Sequence, residues 1–255
     1  MHKTQTQDGQ TGSPIAILVK QFPKLSETFV LGEVASLTDH GVDLRIFSMS
    51  EPSEAIQQPD AARFLEPVTY LCRTSRVRAY FALFVSLLRK PMRIIAFLRI
   101  AKRNRELLHT LGAILAASQS NRISHIHAHY ISEPAALADA AASMRSSMTF
   151  SVSAHAKDIY LTPADEIAER LNNALFVATC TRHNYQYLRN LTPTNRYRVY
   201  LVYHGIDTEH FAPKHKPDSQ QPPLILSVGR FKEKKGFDLL IKACAKLAAT
   251  HPFSV

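Results

Sequence analysis

Apolar residues fall into short runs that alternate with segments of helical period. Residues 15–19 form a continuous apolar run of the length of a buried strand. Residues 20–26 read as the following loop, and 27–38 as a helix ending near Gly41. Residues 43–48 alternate as a second strand, and the Pro, Gln and Ser of 51–66 predict irregular backbone. Two basic helices separated at Pro91 follow, then a helix over 107–118. From there strands over 123–128, 149–152, 175–179 and 198–203 are interleaved with helices over 134–143, 164–173 and 183–191. This rhythm predicts an α/β fold built on a doubly wound parallel sheet, Rossmann-like in type. A polar leader occupies 1–13, and a first domain 14–213. Residues 214–223, rich in Pro, Lys, Asp and Gln, read as a linker. A second βα unit begins at Leu224, and Phe253 reads as the start of its next strand.

The chemistry-bearing residues cluster where strands end, which is where open α/β sheets bind ligands. After the first strand come Lys20, Lys24, Ser26, Glu27 and Thr28. They could receive a sugar or a phosphate, although chemistry alone favours Ser26 and Thr28 as helix caps. His125, His127 and His129 alternate and so share one strand face. A metal site needs further ligands, and Glu133 is the one carboxylate at close spacing, so the pattern does not favour metal. His155 and Asp158 follow the strand over 149–152; a His beside a carboxylate suits a sugar hydroxyl or a reaction centre, or is simply a satisfied loop His. His204, Gly205, Ile206 and Asp207 read as a structural turn capped by Asp207, with Phe211 packing nearby.

The most informative stretch is 224–240, where an apolar run ends in Ser-Val-Gly-Arg and Lys235-Gly236 opens an amphipathic segment. Cations at a helix N-terminus oppose the helix dipole unless an anion sits between them. Gly229, Arg230 and Lys235 are therefore candidates to hold a diphosphate.

Five segments in this order resemble retaining glycosyltransferases of family 4, which have the GT-B fold. They are residues 22–29 (Phe-Pro-Lys-Leu-Ser-Glu-Thr-Phe), 125–130 (His-Ile-His-Ala-His-Tyr), 154–160, 204–207, and Gly229-Arg230 with Lys235-Gly236. Together they are similar to the subgroup that builds bacterial exopolysaccharides of the colanic-acid type. The resemblance implies that the first domain binds a lipid-linked saccharide acceptor through Lys24, Ser26, Glu27, Thr28 and His129. It implies that His155 contacts the donor sugar with Asp158 in support. Gly229, Arg230 and Lys235 would hold the diphosphate of a nucleotide-sugar donor, without a cofactor or metal. In that family the His-rich strand end carries no metal. Family members usually carry two glutamates in a later helix, and no position here matches them. The expectation is therefore a second domain that is only begun, and a chain that is either an enzyme or an inactive acceptor-binding fragment.

Charge changes this picture in one respect. The net charge is +10, and the stretch from Arg73 to Arg105 carries ten basic residues and no acidic one. Val77, Tyr80, Phe81, Phe84, Val85 and Leu88 follow helical spacing between the charges. The uncharged run 79–88 is too short to span a bilayer, which takes about 20 residues. The segment either lies on an anionic membrane surface or packs on its own domain with a solvated basic face. No aromatic-basic platform points to nucleic acid. Three scattered cysteines give no disulfide framework, and a reducing cytosol fits; the resemblance implies a cytoplasmic place on the inner face of the cytoplasmic membrane.

Overall fold

A computed structural model describes residues 13–53, 59–66, 68–192, 194, 198–209, 211–212, 222–229 and 231–254. The leader up to residue 12 and most of the expected linker, 213–221, lie outside the described residues. Contacts divide the chain into two compact units, Met1–Gly205 and Ile206–Val255.

In the first unit the order is β1 (Ile15–Gln21), α1 (Thr28–Asp39), β2 (Leu44–Ser50), β3 (Val68–Tyr70), α2 (Arg76–Arg89), α3 (Ile94–Arg103) and α4 (Glu106–Ser120). Then come β4 (His125–His129), α5 (Glu133–Met144), β5 (Thr149–Ala154), α6 (Ala156–Leu161), α7 (Ala164–Asn173), β6 (Val177–Thr179), α8 (Arg182–Leu191) and β7 (Val199–Leu201). The seven strands form one sheet in the order β3-β2-β1-β4-β5-β6-β7, and every pairing is parallel. The order reverses direction between β1 and β4, so this is a doubly wound sheet with its switch point at those two strands.

Strand alternation sends neighbours to opposite faces, and both faces are covered. Ile17, Val19 and Ile46 pack with Val30, Leu31 and Val34 of α1. Ala16, Leu18, Phe47, Ile126, Ala128 and Val152 pack in the larger core with Leu111 and Ile114 of α4 and Leu137 of α5. Each such fully buried aliphatic or aromatic side chain contributes about 1.5–3 kcal/mol. Two elements escape the sequence patterns. β3 has three residues, too few to show alternation, and α6 is a short helix directly after β5. The expected irregular stretch ends in a 3-10 turn, Pro59–Phe64, whose Ala61 and Phe64 join the smaller core.

The basic region folds as two helices around Pro91, with an unexpected orientation. α2 turns Ala79 and Leu83 inward, so its large apolar stripe faces out: Val77 is 82% exposed and Phe81 66%. Phe84, Leu88, Met92, Ile94, Ile95 and Leu98 are exposed as well. A small residue, Ala79, faces α4 where the two helices run closest. A Cβ on Gly112 of α4 would lie 2.2 Å from the Ala79 carbonyl oxygen.

In the second unit, α9 (Phe237–Leu247) follows a 3-10 turn, Glu233–Lys235, and Leu224 forms an isolated parallel bridge to Ser254. Among its described residues only Cys244 is buried; Phe231 is 91% exposed, and Leu226, Val228, Leu239 and Ile241 are exposed too.

Gly112→Ala should lower the unfolding free energy by about 1–3 kcal/mol, the range for overpacking. Urea denaturation of the first unit measures this. An unchanged midpoint would mean that α2 is not seated on α4 as described.

Candidate functional site

The switch point brings together residues from four strand ends. After β1, the loop to α1 carries Lys24 and Glu27, whose Nζ and Oε1 are 2.5 Å apart. Glu27 is the N-cap residue of α1 but makes no capping bond; its carboxylate engages Lys24 instead, and its charge adds to the burial that raises the Tyr130 pKa. Ser26 and Thr28 do not cap α1 through their side chains and are exposed, so both hydroxyls face solvent at the rim. Lys20 pairs with Glu133 at 2.7 Å.

β4 supplies the floor. Its parallel register sets His125, His127 and His129 opposite Thr149, Ser151 and Ser153 of β5. Side chains on this shared face form a continuous chain of hydrogen bonds. His125 Nδ1 meets Thr149 Oγ1 (2.8 Å) and its Nε2 meets Ser151 Oγ (2.8 Å). His127 Nδ1 meets the same Ser151 Oγ (2.7 Å), and its Nε2 meets Ser153 Oγ (2.9 Å). Burial pushes the His127 pKa down to about 3 and that of His129 well below the ordinary imidazole value. Neighbouring imidazoles add to both effects. The face is therefore neutral. Tyr130, the next residue, has φ 81°, a left-handed conformation that costs a non-glycine residue about 1–3 kcal/mol. Its N–H donates to Ser153 O (2.8 Å), which holds the strained turn at the strand end.

His155 stands directly after β5 and opens α6. Asp158 ties this corner to β4: Oδ1 accepts the His155 N–H (3.0 Å), and Oδ2 accepts the Ile131 N–H (2.5 Å). Burial raises the Asp158 pKa to about 6, against the opposing effect of these backbone donors. Asp158 is thus a positioning residue beneath the site. Above it the rings assemble. Phe29 lies 4.6 Å from His155 and 4.9 Å from His204, centroid to centroid. His155 stacks on His129 (6.0 Å, 3° between planes) and on His204 (5.4 Å, 21°). Burial lowers the His155 pKa to about 4, with His204 adding to the effect. A neutral imidazole wall over an aromatic ring, rimmed by Lys24, Glu27 and Tyr130, is suited to a polyhydroxylated ligand.

Glu33 has no motif to announce it. It lies one helical turn after Phe29 on α1, and that i, i+4 spacing was the available signal. Its Oε1 is 3.5 Å from His127 Nε2 and 3.7 Å from His129 Nε2. Burial raises its pKa to about 7. Two groups bring ligand atoms within 4.8 Å of one another: Glu33, His127 and His129, and, nearer the rim, His155, Cys180 and His204. Glu133, the carboxylate closest in sequence to the histidines, is engaged with Lys20 instead.

In the second unit, Gly229 and Lys235 come together. A Cβ on Gly229 would meet the Phe237 ring at 3.4 Å and the Lys235 stem at 3.9 Å. Gly236, at φ 68°, turns the chain into α9, and Lys235 is exposed just before it. Arg230 lies outside the described residues. Asp207 caps a turn, accepting the Glu209 N–H at 3.0 Å.

No protein-family model matches the chain. It is 26% identical over 248 residues to the amylovoran biosynthesis glycosyltransferase AmsK of Erwinia amylovora. That match takes in 90% of this chain and 60% of AmsK, so the chain spans about 60% of the length of its curated relative. Among solved structures it is similar to sucrose-phosphate synthase of Thermosynechococcus elongatus. The TM-score is 0.57 and the identity 16%, over 92% of this chain and 60% of that one. It is also similar to the catalytic domain of starch synthase IV of Arabidopsis thaliana bound to ADP and acarbose. Here the TM-score is 0.51 and the identity 12%, over 94% of this chain and 67% of that one. The fold is thus α/β, with a Rossmann-like parallel sheet shared with GT-B glycosyltransferases.

His155 stays neutral when folded down to about pH 4, whereas an unfolded His titrates near 6.5. Its contribution is therefore complete above pH 6.5 and is lost as pH falls from 6.5 towards 4. His155→Gln should remove up to about 3 kcal/mol of that acid-side loss. Urea denaturation at pH 7.5 and 4.5 gives the comparison. Equal losses in both proteins would place His155 in solvent.

Proposed function

We propose that the chain is a glycosyltransferase, or the acceptor-side part of one, acting in bacterial exopolysaccharide biosynthesis. The observation that carries this reading is the neutral His and aromatic wall at the switch point, rimmed by Lys24, Glu27 and Tyr130. The extended similarity to AmsK supports it. The transfer would be retaining, moving a hexose from a nucleotide sugar to a lipid-linked oligosaccharide. Lys24, Ser26, Glu27 and Thr28 would face the acceptor, and His129, fully buried, would act from beneath them and not by direct contact. Glu27, held by Lys24, offers a positioned acceptor atom for a sugar hydroxyl. His155 would contact the donor sugar, with Asp158 fixing its backbone.

Gly229, Arg230 and Lys235 would stabilise the leaving diphosphate by charge at the oxygen where negative charge develops, without a metal there. Gly229, with no side chain, would let the anion approach its backbone, and the Lys235 stem lies beside it. The site in the first unit is well packed, whereas the second unit leaves most of its apolar residues exposed. Nucleotide-sugar binding to the 255-residue chain should accordingly be weak. A second reading keeps only acceptor binding, with no turnover.

In either reading the outward apolar stripe of α2 and α3 would lie on the anionic inner face of the cytoplasmic membrane. No helix among the described residues is long and apolar enough to cross a membrane. Large exposed apolar side chains between Arg and Lys fit an interfacial helix, each cation near the surface contributing about 1 kcal/mol before screening.

Sugar transfer from UDP- and GDP-hexoses to lipid-linked acceptors tests the first reading. Lys235→Ala should slow transfer by about 100-fold or more, the scale for removing one charge-stabilising group. His155→Ala should slow transfer while leaving nucleotide binding nearly intact. Absence of transfer with every donor would favour the non-catalytic reading. For the membrane, vesicles containing anionic lipid should bind the chain more than neutral ones. Salt, or the pair Phe81→Asp and Phe84→Asp, should weaken that binding. Equal binding to neutral vesicles would refute the electrostatic component.

A further inference from the structure

The charges and distances around β4 leave one group without a satisfied chemistry. His129 is fully buried, and neither of its ring nitrogens has a hydrogen-bond partner among the described residues. Burying such a group unpaired is costly. Glu33 Oε1 lies 3.7 Å from its Nε2, and the same oxygen lies 3.5 Å from His127 Nε2. These separations exceed the roughly 2.7–3.2 Å of a good hydrogen bond. They lie close to another geometry. A tetrahedral zinc ion with bonds of about 2.0–2.2 Å spaces its ligand atoms by about 3.3–3.6 Å, and the three candidate ligand atoms all lie within 4.8 Å of one another.

We propose that Glu33, His127 and His129 form a binding site for a zinc-class divalent cation, buried against β4 on the acceptor side of the fold. Two imidazoles and one carboxylate suit zinc, cobalt or nickel, and do not suit magnesium or calcium, which take oxygen ligands. The outer shell is present for one ligand: with Nε2 on the ion, His127 Nδ1–H donates to Ser151 Oγ at 2.7 Å. Ligation replaces the contact of His127 Nε2 with Ser153 Oγ (2.9 Å). The Glu33 side chain is one-third exposed, which leaves a route for the ion and a fourth position for water. The ion would join α1 to the central strand and so fix Phe29, one turn earlier on α1, against His155. This departs from the resembling family, whose His-rich strand end carries no metal; what the sequence pattern lacked is the carboxylate that Glu33 brings beside the two rings. The site stands apart from the proposed diphosphate contacts, so it is compatible with a metal-independent transfer. Because the site lies wholly within the first unit, it does not depend on the proposed function.

The competing cluster, His155, Cys180 and His204, provides the discriminating control. The tag-free 255-residue chain, stripped with chelator, is titrated with Co2+ and followed by visible absorption and dialysis. The expected result is one equivalent of Co2+, with the visible bands of tetrahedral nitrogen and oxygen ligation and no thiolate charge-transfer band. Excess Mg2+ should leave the bands in place and Zn2+ should displace them. Glu33→Gln should weaken binding by well over about 10-fold, while Cys180→Ser should leave it unchanged. A thiolate band, or loss of binding in Cys180→Ser, would move the ion to the other cluster and overturn the proposal. So would unaltered binding by Glu33→Gln, or binding below one equivalent. If circular dichroism shows that Glu33→Gln does not fold, the wild-type spectrum still decides between the two ligand sets.

Discussion

The structure depends on one constraint: a central parallel strand is covered on both faces, and β4 is the middle strand of seven. Ile126 and Ala128 meet that constraint with apolar side chains. On the other face His125, His127 and His129 meet it with polar ones, and this is possible because β5 answers with Thr149, Ser151 and Ser153 in register. The hydroxyls satisfy the first two rings, and α1 covers the third. Burial then removes charge from the face, since desolvation disfavours a proton on these imidazoles and the neighbouring rings add to the effect.

A neutral, packed floor shapes what can stand on it. The rim groups keep their polarity because they are partly solvated and paired: Lys24 with Glu27, Lys20 with Glu133. Asp158 works from below, with one carboxylate oxygen on each of two strand-end backbones. Its two bonds to charged acceptor oxygens, each worth about 1.5–3 kcal/mol, hold the β4 and β5 corners in a fixed relation. The strained Tyr130 turn is held within the same frame. Positioning at this site therefore comes from the sheet and its corner bonds, while Ser26 and Thr28 are exposed at the rim and add no rigidity.

The basic helices show the opposite solution to burial. α2 could have packed its large apolar stripe inward, yet Gly112 lets the two helices approach so closely at Ala79 that only a small residue fits there, and Leu83 is its one large residue fully turned to the core. The aromatic stripe is left in solvent beside the cations. A stripe so placed lowers solubility unless something covers it, and an anionic lipid surface complements both its apolar and its basic character.

The sequence by itself determined the strand-helix rhythm, the sheet class, the shared face of the three histidines and the grouping of polar residues at strand ends. These follow from local periodicity and from the short reach of backbone geometry. The tertiary structure decided what periodicity cannot express. Helical spacing marked the α2 stripe but gave no direction to it, because direction depends on the close approach to α4. Glu133 was the carboxylate nearest the histidines in sequence, yet Glu33, some 100 residues earlier, is the one beside them in space. Parallel crossover packing lays α1 over β4, and no pattern within either segment encodes that meeting.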